Sequence, residues 1–215
     1  MRLEVRRLNA GYGRARVLFD IDLDAERGEV VALLGRNGAG KSTTLKAIMG
    51  LVPPLSGEVV FDSKNLKNLE AHQIARLGLG YVPEDRRIFT DLTVAENLEV
   101  GRQPARSGTP VWTDEKLFAL FPALAALRER PGARMSGGEQ QMLCIARTLA
   151  GNPNAVLLDE PSEGLAPVVV EQVAKAIVEL KRAGVTVLLA EQSQHFAGRV
   201  ADRTYILEKG VISKA

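Results

Sequence analysis

Cysteine is almost missing from this sequence. Cys144 is the single one among 215 residues, so no internal disulfide can form and the fold must rest on its apolar core. In an apolar helical stretch, that thiol reads as a packing residue in a reducing compartment. Histidine is nearly as scarce: His72 and His195 are the only two, and with no cysteines or clustered carboxylates beside them neither suggests a metal-ligand set. No apolar run approaches the ~18 residues that span a bilayer, and Met1-Arg2-Leu3-Glu4 lacks the basic-then-apolar layout of a secretory signal. An excess of one charge is also absent. Lys+Arg number 28 against 26 Asp+Glu, a formal net charge of +2, too small to line a polynucleotide groove. Arg128, Arg130 and Arg134, interrupted by Glu129, read as solvated surface. These absences predict a cytosolic chain with no nucleic-acid partner, whose membrane role, if it has one, is exercised through another protein. The length fits one domain, or one with a subdomain, burying ~70% of the surface of its unfolded chain.

What the sequence does hold is GRNGAGKST, Gly35 to Thr43, between the apolar run Val30 to Leu34 and a helix-like run from Thr44 to Met49. Its Gly35, Gly40, Lys41 and Ser42 fit the phosphate-binding pattern G-x-x-x-x-G-K-[ST]. Glycines let the backbone turn sharply and aim several N–H groups at one anion. The following helix adds its positive end, Lys41 can reach β- and γ-phosphates, and the Ser42 hydroxyl can take a place on Mg²⁺. A nucleoside triphosphate suits this loop, held by Gly35, Asn37, Gly38, Ala39, Gly40, Lys41, Ser42 and Thr43.

Along the chain, Leu3 to Leu8 and Val17 to Leu23 roughly alternate apolar with polar and predict an antiparallel sheet feeding the buried strand Val30 to Leu34. Between them Tyr12, flanked by Gly11 and Gly13, can stack on a purine or pack on its own sheet. Helices are expected over Lys41 to Gly50 and Leu69 to Leu77, and strands over Glu58 to Phe61 and Leu79 to Val82. A helical section follows: Val94 to Val100, then an exposed loop from Gln103 to Pro110, then Asp114 to Phe121 and Ala123 to Arg128. The expected organisation is a core from 1–84 and 151–215 with a helical insertion over 85–150.

Ser136-Gly137-Gly138-Glu139 has capping-box spacing. Two glycines in the first turn each lower helix propensity by ~1 kcal/mol with no compensation visible in the sequence. The turn reads equally as a plain cap or as a second anion site. Asp159 and Glu160 end the apolar run Ala155 to Leu158 at the sheet edge where ligands of open α/β folds collect. Strand alternation would send Asp159 toward Mg²⁺ and Glu160 toward a water. A helix over Pro167 to Ala183 and a strand over Val185 to Ala190 then deliver Glu191, Gln192 and Ser193 to the same edge. A hairpin, Thr204 to Leu207 and Val211 to Ser213, closes the chain.

In this order the pieces resemble an ABC-type ATPase subunit. MSGGEQQ, Met135 to Gln141, is similar to the LSGGQ signature, and AVLLDEPSEGLAP, Ala155 to Pro167, to the Walker B and D-loop. Tyr12 matches the adenine-stacking position. The resemblance implies a P-loop NTPase (RecA-like) α/β core with an antiparallel β subdomain and an inserted helical subdomain. It implies ATP and Mg²⁺ as ligands, with Ser42, Asp159 and Glu84 on the metal side. Lys41, Glu160, Gln192 and Glu84 would serve hydrolysis, and Ser136, Gly137, Gly138 and Gln140 would grip the ATP of a second subunit. Two positions depart from the common pattern: Glu84 replaces the usual Q-loop glutamine, and Gln192 stands at the switch histidine position. With the contexts GYVPEDRRIF and LLAEQSQ, both are similar to LivF-type ATP-binding subunits of branched-chain amino acid importers. That likeness implies membrane permease subunits, a second ATPase and an extracytoplasmic binding protein as partners. The chain ends soon after Gly210, earlier than such a subunit leads one to expect.

Overall fold

The computed structural model describes residues 2–106 and 108–213. In chain order the elements are β1 (Arg2–Tyr12), β2 (Ala15–Glu26), β3 (Val30–Leu34), α1 (Lys41–Ile48), β4 (Pro54–Phe61), β5 (Lys64–Asn65), α2 (Ala71–Arg76), β6 (Leu79–Val82) and α3 (Val94–Gly101). Then come α4 (Asp114–Leu120), α5 (Pro122–Ala126), α6 (Gly137–Ala150), β7 (Ala155–Asp159), α7 (Pro167–Arg182), β8 (Thr186–Glu191), α8 (Gln194–Val200), β9 (Arg203–Glu208) and β10 (Val211–Ser213). The loop expected over Gln103 to Pro110 carries no helix or strand where it is described; Ser107 lies outside the described residues.

Two sheets divide the strands. A six-stranded sheet runs β10-β9-β3-β8-β7-β6, parallel except for β10, and a four-stranded antiparallel sheet runs β2-β1-β4-β5. The central strands β3, β7 and β8 are buried along almost their whole length and mostly apolar, because both faces are covered. Val156, Leu158, Val187 and Leu189 join one core with α6, α7 and the α3–α5 section. Leu157, Leu188 and Leu33 face the other, where Leu45 and Ile48 of α1 meet Leu3, Leu8 and Ile21 of the antiparallel sheet. Helix α1 is thus wedged between sheets, which fixes the loop at its N-terminus.

Strands β1 and β2 run well beyond the alternating stretches read from sequence. Register shifts between Val5 and Leu8 and between Leu8 and Ala10, with Arg7 at φ 43° and Asp20 at φ 47°, break the period of two without ending the pairing. Strand β4 likewise starts at Pro54, four residues before the expected Glu58. Proline is tolerated at a strand's first residue, and Gly57 allows a bulge because a Cβ there would lie 2.2 Å from the Arg7 carbonyl oxygen.

Cys144 is fully buried and its Sγ donates to the Arg86 carbonyl at 2.7 Å. Burial pushes that thiol up to about 11, consistent with a packing role. No helix among the described residues is long and apolar enough to cross a membrane.

Candidate functional site

Strand β3 delivers Gly35, whose N–H donates to the Glu191 carbonyl at 3.2 Å, and the chain then turns into α1. Gly40 forms the N-cap at φ 112°, where an L side chain would be strained, and a Cβ would also stand 2.8 Å from Leu18 Cδ2. No side chain caps α1. Its first-turn N–H groups are therefore left for an acceptor from outside, the arrangement that suits phosphate. Lys41, its side chain only 3% exposed, lies back along the loop. Its Nζ donates to the carbonyls of Gly35 at 2.7 Å and Arg36 at 3.2 Å and pairs with Glu160 Oε1 at 3.0 Å.

Ser42 Oγ donates to Asp159 Oδ1 at 2.8 Å, and the Tyr81 hydroxyl donates to Oδ2 at 3.0 Å. Burial pushes the Asp159 carboxyl up, and these two hydrogen bonds oppose it. The Tyr81 hydroxyl is pushed up by the same burial and by the Asp159 charge. No cluster of three or more His, Cys, Asp or Glu that could hold a metal occurs among the described residues. Mg²⁺ does not require one: beside phosphates it takes one or two protein oxygens and water. The adjacent Ser42 hydroxyl and Asp159 carboxylate fit that donor set.

Glu160 does not follow the strand alternation read from the sequence. It sits one residue past β7 at φ 47°, left-handed, so its direction is set by a turn rather than by the pleat. Its N–H donates to the Ala190 carbonyl at 2.9 Å, and its own carbonyl accepts from the Glu163 N–H at 3.2 Å. A non-glycine residue held left-handed costs about 1–3 kcal/mol, offset by the structure around it. The turn swings the carboxylate onto Lys41. Glu163, at the far side of the turn, is raised to about 7 by its hydrogen bond to Glu160, by that group's charge and by burial.

The second glycine-rich turn is capped as its spacing predicts. Ser136 Oγ accepts from the Glu139 N–H at 3.3 Å, and Glu139 Oε2 accepts from the Ser136 N–H at 2.7 Å. Its glycines do have a structural reason, contrary to the sequence expectation. A Cβ on Gly138 would lie 2.8 Å from Val169 Cγ2 of α7, and one on Gly137 would lie 2.7 Å from an Arg86 guanidinium nitrogen. The Arg86 end can move; Val169 is branched and held on a helix. Gly138→Ala is therefore expected to lower stability by ~1–3 kcal/mol, with Val169→Ala restoring most of it, measured by urea unfolding. Gln140 Nε2 donates to the Gly132 and Met135 carbonyls, tying the helix to the turn before it. Among the described residues no hydrogen bond joins Ser136, Gly137 or Gly138 to the phosphate loop.

Tyr12 is 51% exposed at the end of β1, which leaves part of its surface open to a ligand. Glu84 follows β6 on an exposed turn, and Gln192 is exposed just after β8. The structure thus gathers Lys41, Ser42, Asp159 and Glu160 at one sheet edge. It adds two groups that the sequence reading did not assign: Tyr81, and Glu191, 2% exposed. Glu191 carried the same signal as Asp159, a carboxylate directly after a buried apolar strand.

A twisted parallel sheet whose first central strand opens into an uncapped phosphate loop, with a serine and a buried aspartate side by side, defines a P-loop nucleotide-binding protein. Residues 18–163 match the ABC transporter family model, and the chain belongs to that family of ATP-hydrolysing transport subunits. It is 41% identical to the high-affinity branched-chain amino acid transport ATP-binding protein BraG of Pseudomonas aeruginosa, covering 98% of this chain and 90% of that protein. It is also 36% identical to the lipopolysaccharide export system ATP-binding protein LptB of Haemophilus influenzae, covering 98% and 88%. A dimeric ATP-binding cassette in a post-hydrolysis state, bound to ADP and phosphate, superposes with a TM-score of 0.84 at 25% identity, covering 99% of this chain and 97% of that one.

Proposed function

We propose that this chain is the ATPase subunit of an importer for branched-chain amino acids, docked on membrane permease subunits at the inner face of the cell membrane. The observation that carries the reading is the 41% identity to BraG over nearly the whole chain, together with Glu84 and Gln192, the two departures expected of that importer type. An extracytoplasmic binding protein would deliver the solute.

In the working cycle, two cassettes pair head to tail. Each ATP lies between the loop Gly35 to Thr43 of one copy, with Tyr12 on its base, and the Ser136, Gly137, Gly138 and Gln140 end of the other. Two glycine-led helix tips in one chain, that of α1 without a side-chain cap, make physical sense if both grip one anion from opposite sides. Lys41 leaves Glu160 for the β- and γ-phosphates, and Ser42 and Asp159 are the residues that would hold Mg²⁺. When bound, that ion supplies neutralisation of phosphate charge. Glu160, released, accepts a proton from the attacking water, and Gln192 donates to the γ-phosphate. Glu84, an anion, is placed on the metal side or away from the phosphates. Segment 85–150 acts as the helical unit that presents Ser136. The docking reading draws support from a cleft of about 520 Å³ lined by Tyr81, Phe89, Val100 and Arg147, with Phe89 and Val100 exposed.

The test is uptake in cells lacking this chain. Loss of saturable leucine, isoleucine and valine uptake, restored by the wild-type chain but not by Lys41→Ala, is expected. Undiminished uptake of all three, with another solute or a surface lipid affected, would overturn the cargo assignment.

A further inference from the structure

Glu191 ends β8 with its carboxylate buried, yet no cation among the described residues pairs with it. Among the described residues its hydrogen-bond partners are peptide N–H groups and the Ser162 side chain. Oε1 accepts from the Ser162 N–H at 3.1 Å, and Oε2 accepts from the N–H groups of Gln192 at 3.1 Å and Ser193 at 3.3 Å. Ser162 belongs to the turn that carries Glu160, whereas Gln192 and Ser193 form the loop after β8. The backbone carbonyl of the same residue accepts from Gly35, the first residue of the phosphate loop. Burial pushes the carboxyl up, and the hydrogen bonds from Ser162 and the Ser193 N–H oppose it.

We infer that Glu191 is a positioning residue for ATP hydrolysis, one carboxylate that locks the Glu160 turn to the Gln192 loop in a fixed relation to the phosphate loop. This rests on the reading that Glu160 accepts the proton of the attacking water. A carboxylate is needed because it only accepts: both oxygens can face N–H groups at once. A glutamine keeps one such oxygen and turns an NH₂ against donors on the other side, so one of the two loops must come away. The left-handed Glu160 would then lose part of what holds it, since its N–H bond to Ala190 and the Ser162 bond to Glu191 are its turn's ties to β8. A displacement of about 1 Å at a reacting group can lower a rate ~100-fold.

The experiment is phosphate release by the purified chain with ATP and Mg²⁺. Glu191→Gln should lower kcat roughly 10- to 100-fold while KM for ATP stays within about threefold, because the anion-binding loop is largely intact. Gln192→Ala, costly alone, should add little in the Glu191→Gln background. Thr186→Val is the control: this buried hydroxyl at the other end of β8 bonds the Glu26 carbonyl and the Gly28 N–H. That variant should melt earlier with kcat kept. A Glu191→Gln kcat within twofold of wild type, or a loss matched by the Thr186→Val control, would overturn the inference. In the wild-type chain, hydrogen exchange gives a reading that needs no variant. Protected amides at Ser162, Gln192 and Ser193 support the lock, and exchange at free-loop rates at all three refutes it. Glu160→Gln separates the two layers: if it is inactive while Glu191→Gln is normal, only this inference falls. If Glu160→Gln turns over normally, the reading beneath it falls.

Discussion

Replacing Glu160 by Gln is expected to stop ATP turnover while leaving ATP binding intact or tighter. Glu160 sits at the mouth of the phosphate loop with its side chain 7% exposed, paired to Lys41 at 3.0 Å. A general base, the role proposed for Glu160, contributes ~10²–10⁴-fold to rate, and a glutamine of the same shape cannot take the proton. The tighter binding has a separate cause. The Lys41 ammonium is paired with Glu160, so phosphate must compete with that carboxylate for it. Glu160→Gln removes the charged competitor, and the freed ammonium meets the phosphates sooner. Steady-state phosphate release should fall at least ~100-fold, with the calorimetric Kd for ATP unchanged or lower. Turnover near the wild-type level would remove Glu160 from the role of base.

The second large effect concerns Lys41. Lys41→Met should weaken ATP binding by roughly 100-fold, as expected for a charge-assisted contact of ~3 kcal/mol. It should also destabilise the nucleotide-free chain, because it strands the buried Glu160 charge and leaves two loop carbonyls without their donor. Breaking one side of a buried pair typically costs ~3–5 kcal/mol, whereas removing both partners costs far less. The double variant Lys41→Met with Glu160→Gln should therefore unfold at a higher urea concentration than Lys41→Met alone. If the two losses simply add, the pair does not hold the nucleotide-free loop.

Much of this site was legible from residue order. The glycine cradle, the Ser136–Glu139 capping box and the acids after Leu158 appear where local chemistry puts them, because each signal is confined to a few neighbouring residues. Glu160 shows the limit. Its left-handed backbone comes from β8, 30 residues away, whose Ala190 carbonyl captures its N–H, and no local pattern announces that. The pairing of Lys41 with Glu160 and of Tyr81 with Asp159 is equally non-local. Gly138 makes the same point where α6 meets α7: its partner Val169 lies on a helix whose approach is set by packing beneath both. Bulges at Arg7 and Asp20 hid the true lengths of β1 and β2 because alternation fails wherever a residue is inserted.

Everything in the proposed cycle turns on Ser42 and Ser136 serving one nucleotide from two copies, although each already makes hydrogen bonds within its own chain. The decisive measurement is a structure of the paired Glu160→Gln chain with ATP and Mg²⁺ in its assembled transporter, read at a single distance. Ser136 Oγ is expected within hydrogen-bond reach of the γ-phosphate held by Lys41 of the other copy. A Ser136 far from every phosphate in both copies would contradict it.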